Sequence, residues 1–152
     1  MNPIAELLTP SNIALEIDAD SKPRLFDEAG ALFERSSGLS RATISGSLAA
    51  REKLGSTGLG QGIAIPHGRI KGLAKATGAF IRLAKPIAFD APDGKPVGQL
   101  FVLLVPEHAT EEHLQLLSEL AQMFSERSFR DKLATASNAA DLLALFRAWK
   151  AA

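Results

Sequence analysis

Leu100-Phe101-Val102-Leu103-Leu104-Val105 is an apolar run closed by Pro106. It has no polar residue on either alternation, so it predicts a central strand buried on both faces. Such a strand belongs in a sheet that helices cover on both sides.

Upstream, Gly78-Ala79-Phe80-Ile81-Arg82-Leu83 predicts a second strand. Pro86 to Pro96 is turn-rich, with a hairpin-like bend expected at Asp93-Gly94. Ile13, Leu15 and Ile17 alternate with Ala14 and Glu16, which predicts a short strand. Ser21 and Pro23 mark the start of a helix carrying Leu25, Phe26, Ala29, Leu32 and Phe33, with Gly38 as its end. Ser40 caps a second helix, with Ile44, Leu48 and Arg51 on or beside one face and Gly55 as its terminator. Downstream, Thr110 is the expected cap of a helix with Glu111 and Glu112 in its first turn and an apolar stripe of Leu114, Leu117, Ala121 and Phe124. Ser128 is expected to start a short helix through Leu133. Asn138, with Asp141 three residues on, starts another that turns Leu142, Leu145, Phe146 and Trp149 to the core. The expected fold is a three-layer α/β sandwich, a mixed β-sheet flanked by helices on both faces.

The chain has 152 residues, 46% of them hydrophobic and 22% charged, as expected of one globular domain spanning 1–152. It contains no cysteine, so disulfides and thiolate chemistry are excluded. Lys plus Arg balance Asp plus Glu at 17 each, without the basic excess of a nucleic-acid binder. No run approaches the roughly 18 apolar residues of a membrane-spanning helix. Met1-Asn2-Pro3-Ile4-Ala5-Glu6 lacks the basic and apolar regions of a secretory signal, and a cytoplasmic location is expected.

The chemistry concentrates in Gly55-Ser56-Thr57-Gly58-Leu59-Gly60-Gln61-Gly62-Ile63-Ala64-Ile65-Pro66-His67-Gly68-Arg69. Glycine lets backbone approach another group closely, at a cost in conformational entropy, so a cluster of glycines implies a required shape. A Pro-His-Gly-Arg corner follows it. A neutral imidazole is nucleophilic near neutral pH, and a guanidinium matches phosphate oxygens bidentately. Phosphoryl transfer needs positioning and donors aimed at the phosphoryl oxygens. His67 is the candidate nucleophile. Arg51 or Arg69 is the candidate cation, and amides around Gly68 and the glycine loop are candidate donors. His113, in the first turn of its helix, is the second candidate histidine. The plainer alternatives are a helix-end charge at Arg51, a solvent-facing Arg69 and a partly buried His113 beside the Leu114/Leu117 stripe. His108 is expected in the preceding loop. His108 and His113 are five positions apart, which misses the helical pairing of metal ligands. The residues demand neither metal nor cofactor.

The stretch from Arg51 to Gly68 resembles the phosphorylation-site signature of the mannitol/fructose-type enzyme IIA domains of the bacterial phosphotransferase system. Pro86-Ile87-Ala88-Phe89-Asp90-Ala91-Pro92-Asp93 and the stretch from Leu103 to Leu114 resemble the same family, nearest its nitrogen-regulatory branch. The resemblance covers essentially the whole chain. Gln61 stands where many members carry asparagine. The resemblance implies that His67 accepts a phosphoryl group on Nε2 from a phosphohistidine of HPr or its nitrogen-branch paralogue. It implies that Arg51 assists and that His113 is a second active-site residue. It also implies a mixed sheet between helices, and a regulatory role in nitrogen- and potassium-linked control through targets such as sensor kinases or potassium transporters. Two other functions stay open: a sugar-transport IIA passing phosphate to a separate IIB protein, and an interaction module that is not phosphorylated.

Overall fold

The computed structural model describes residues 2–109 and 111–150. In chain order the elements are β1 (Ile13–Ile17), α1 (Lys22–Ser37), α2 (Arg41–Lys53), β2 (Gly58–Gly60), β3 (Ile63–Ala64), β4 (His67–Ile70), β5 (Thr77–Ile87), β6 (Val97–Pro106), α3 (Glu111–Phe124), α4 (Arg127–Thr135) and α5 (Ala139–Ala148). Two short 3-10 turns, Ala5–Leu7 and Pro10–Asn12, precede β1.

The sheet is mixed, in the order β1-β5-β6-β3-β2, with β4 also paired to β6. Strand β6 sits at its centre, antiparallel to β5 and parallel to β3 and β4. Leu100 to Val105 are all buried, as the unbroken apolar run requires. Their alternation divides the core in two. Phe101, Leu103 and Val105 enter a cluster with α3, α4, α5 and the N-terminal Ile4, Ala5 and Leu8. Leu100, Val102 and Leu104 enter a second cluster with α1 and α2. The result is the expected sandwich of helix, mixed sheet and helix.

Local chemistry sets the helix ends. Ser21 accepts a hydrogen bond from the Arg24 amide, Ser40 from the Thr43 amide and Asn138 from the Asp141 amide. Gly38 closes α1 in the left-handed region at φ 71°. Among the described residues, no helix is long and apolar enough to cross a membrane.

The structure corrects several expectations. Strand β5 runs on to Ile87, through Pro86, so the turn-rich stretch begins later; the bend expected at Asp93-Gly94 is present, in the turn Ala91 to Gly94, where the Gly94 amide donates to the Ala91 carbonyl at 2.9 Å. Helix α4 begins at Arg127, with Glu126 rather than Ser128 outside its first turn. The inward face of α3 is His113, Leu116, Leu120, Met123 and Phe124, whereas Leu114 is 66% exposed. The expected stripe was rotated because Leu114-Gln115-Leu116-Leu117 offers leucines to two phases of one helix. Thr110, read as this helix's cap, lies outside the described residues.

Candidate active site

His67 opens a strand rather than occupying a corner. Ile63 pairs with Gln99, Ala64 with Leu100, His67 with Leu103 and Gly68 with Leu104, so β3 and β4 keep one register along β6. The interruption is Ile65-Pro66. Proline has no N–H to continue a ladder, yet its carbonyl still accepts from the Leu103 amide at 2.9 Å. His67 therefore stands at a break in a buried strand, with only 9% of its surface exposed.

Nδ1 of His67 lies 2.9 Å from the Ile65 carbonyl. A carbonyl only accepts, so in the neutral ring Nδ1 carries the proton and Nε2 keeps its lone pair. Burial pushes the pKa of His67 below its ordinary 6.5, and the Arg51 guanidinium acts the same way; the Ile65 bond and the Glu52 carboxylate oppose them. The ring is thereby held neutral near pH 7.

The inward face of α3 brings His113 to this ring. The two imidazole centroids are 5.2 Å apart, with the planes at 70°. His113 is buried, and its Nδ1 has no hydrogen-bond partner among the described residues. Burial also lowers its pKa, followed by His67, Arg69 and Arg51. A buried imidazole nitrogen without a partner costs free energy unless something occupies it.

A cavity of about 400 Å³ joins the two rings to Arg51, Arg69 and Gly68. Arg51 comes from the last turn of α2 and donates from Nη1 to the Gly55 carbonyl at 2.8 Å. Arg69, two residues beyond His67, donates to the Glu107 carbonyl at 3.2 Å. Gly68 lets α2 close over the strand: a Cβ there would overlap Ser47 Oγ and lie 3.2 Å from Ser47 Cβ. The site thus gathers two neutral imidazoles and two arginines around one cavity, which suits a tetrahedral anion.

The glycine loop is not part of this cavity. Gly58 and Gly60 belong to β2, paired with β3. Gly58 packs on Ala91, and the Gln61 amide donates to Asp93 at 2.8 Å. Gly60 and Gln61 line a separate cavity with Phe124 and Arg130. The loop's glycines serve the fold of that edge, and its amides are not aimed at His67. His108 has a 94% exposed side chain beside Glu107 and does not line the cavity. Among the described residues no group of His, Cys, Asp or Glu is placed to hold a metal ion. Two contributors escaped the sequence reading. Ser47 carries no one-dimensional signal, because its role is contact with Gly68. Glu52 had one, its place beside Arg51 in the signature, and its carboxylate binds Thr57 and Lys22.

A family model described as "Phosphoenolpyruvate-dependent sugar phosphotransferase system, EIIA 2" matches residues 6–149. The chain is 45% identical over 137 residues to the nitrogen regulatory protein of Pseudomonas aeruginosa, covering 90% of this chain and 89% of that one. Its fold superposes on the crystal structure of nitrogen regulatory protein IIA-Ntr from Neisseria meningitidis with a TM-score of 0.89 and 58% identity, over 95% of this chain and 99% of that one. The mannitol IIA of Escherichia coli shares the fold at a TM-score of 0.76 and 23% identity, over 91% and 97% of the two chains.

Proposed function

We propose that this chain, which belongs to the EIIA 2 family of the phosphoenolpyruvate-dependent sugar phosphotransferase system and to its nitrogen-regulatory branch, accepts a phosphoryl group on Nε2 of His67 from a phosphohistidine of an HPr-like carrier. The observation that carries the reading is the Nδ1 bond to Ile65, which leaves Nε2 as the nucleophile beside two guanidinium groups.

The step balances without moving a proton. The Nε2 lone pair of His67 forms the new N–P bond. The donor's N–P bond breaks, and its electron pair stays on the donor imidazole. The Nδ1 proton of His67 remains in its bond to the Ile65 carbonyl, which stabilises the positive charge that the phosphorylated ring acquires. Arg51 and Arg69 meet the charge on the phosphoryl oxygens. His113, kept neutral by burial, offers an N–H to the same group.

The regulatory reading extends this chemistry. Phosphorylation replaces a neutral imidazole by an anionic group at one surface cavity, a local electrostatic change that alters which protein docks there. The proposed setting is the cytoplasm, with the chain acting as one domain. The proposed targets are regulatory proteins of nitrogen and potassium control, such as sensor kinases or potassium transporters.

The test is intact-protein mass after incubation with phosphoenolpyruvate, enzyme I and an HPr-type carrier. The expected result is one acid-labile phosphoryl group, absent when the carrier is omitted and absent in His67→Ala. A folded His67→Ala protein that still takes the label overturns the assignment.

A further inference from the structure

We infer that Glu52 is a positioning residue for His67, acting through Thr57 and Ile65. The Glu52 side chain is only 6% exposed. Its Oε1 accepts from Thr57 Oγ1 at 2.6 Å, and its Oε2 accepts from the Thr57 amide at 3.1 Å and from Lys22 Nζ at 2.9 Å. The Thr57 carbonyl accepts from the Ile65 amide at 3.0 Å. The Ile65 carbonyl accepts from His67 Nδ1 at 2.9 Å. These links form a continuous path from the end of α2 to the imidazole. Thr57 and Ile65 are both buried, so water does not readily replace a lost link.

The coupling is positional. The amide and the carbonyl of Thr57 belong to different peptide planes, as do those of Ile65, so the path passes on location rather than polarisation. That location matters because neutral imidazole has two tautomers. Only the one protonated on Nδ1 leaves Nε2 nucleophilic, and a well-placed Ile65 carbonyl selects it. The Ile65-Pro66 break frees this carbonyl from the β6 ladder, so something else must hold it. Thr57 does so from β2's side, and Glu52 holds Thr57. Arg51, one residue earlier, ties the Gly55 carbonyl to the same helix end. Adjacent residues of α2 thereby place a cation over the cavity and set the proton on the nucleophile.

The proposal rests on His67 as phosphoryl acceptor, but its primary test needs no carrier. Long-range proton–nitrogen spectra of the uniformly labelled full chain, taken above neutral pH, read the His67 tautomer directly. The wild type is expected to show Nδ1–H alone. Glu52→Gln and Thr57→Val are expected to show a mixture with Nε2–H. Thr57→Ser, which keeps the hydroxyl, is expected to restore the wild-type signal. Phosphoryl acceptance from the carrier should fall about tenfold in Glu52→Gln and Thr57→Val, the loss expected from one charge-assisted positioning bond, and not in Thr57→Ser. Thr57→Val keeps the Thr57 amide bond and the Lys22 pair, so it reads the link even if Glu52→Gln folds poorly. Leu142→Ala, destabilised in the same core cluster as Ile65 but off the Glu52–Thr57–Ile65 path, should leave the tautomer unmoved. An unchanged tautomer in folded Glu52→Gln and Thr57→Val, or an equal change in Leu142→Ala, overturns the proposal. Failure of the wild type to take up phosphate overturns the reading of His67 instead.

Discussion

As the proposed phosphoryl acceptor, His67 needs one nitrogen without a proton, and it secures one in two ways. The Ile65 carbonyl decides which nitrogen is protonated. Burial, reinforced by Arg51, decides that only one is. The second effect has a consequence for stability. His67 and His113 both have folded pKa values below the ordinary 6.5. Between those lowered values and 6.5 the unfolded chain binds more protons than the folded one, so stability rises with pH in that window. Their contribution is complete above 6.5 and is lost as pH falls through the lowered values. Urea midpoints at constant m-value should therefore drop between about pH 7 and about pH 5, and the drop should shrink in a His67→Ala, His113→Ala double variant. An equal drop in the double variant would assign the effect to other groups. Phosphoryl acceptance should follow the neutral form of His67 and persist below pH 6.5.

At the scale of elements, the rotation of α3 matters most for the site. Periodicity offered two apolar stripes. The sheet takes the one with Leu116, Leu120 and Met123, and that choice carries His113 inward to His67. Leu116→Ala should cost about 2–5 kcal/mol, the usual loss for a buried leucine. Leu114→Ala should stay within about 0.5 kcal/mol, as for an exposed side chain. Denaturant unfolding of the two variants separates the phases: the opposite ranking would place His113 outside the site. The β3–β4 strand is the other decisive element. Its single register along β6, broken at Pro66, puts His67 beside a free backbone carbonyl instead of inside a complete ladder.

Across the whole molecule, two cores share one sheet, and the aromatic side of that sheet has a single hub. The Phe146 ring meets those of Phe80, Phe101, Phe124 and Phe129, at centroid distances of 5.6, 5.8, 6.3 and 5.3 Å. It thereby joins α5, the sheet and the α3–α4 junction. Phe146→Ala should cost about 3–5 kcal/mol. That is a large part of the roughly 5–15 kcal/mol by which a domain is stable. Calorimetry of this variant should show a melting temperature well below wild type. A small change would mean that the cluster repacks around the void.

The layered fold was legible in the chain because its signals are local. Leu100 to Val105 can be buried on both sides only between helices. Ser21, Ser40, Gly38 and Asn138 mark helix ends by bonding backbone within a few residues. His67, Arg51 and His113 were legible as candidates because their residue types and their signature point to phosphate on histidine. Tertiary structure alone decided the rest. The phase of α3, the strand setting of His67, the withdrawal of the glycine loop from the cavity and the Glu52–Thr57–Ile65 path all depend on atoms distant in sequence. Short-range patterning constrains which face a residue prefers, but only packing against the sheet chooses between two nearly equal faces. Only that packing brings one carbonyl to one imidazole nitrogen.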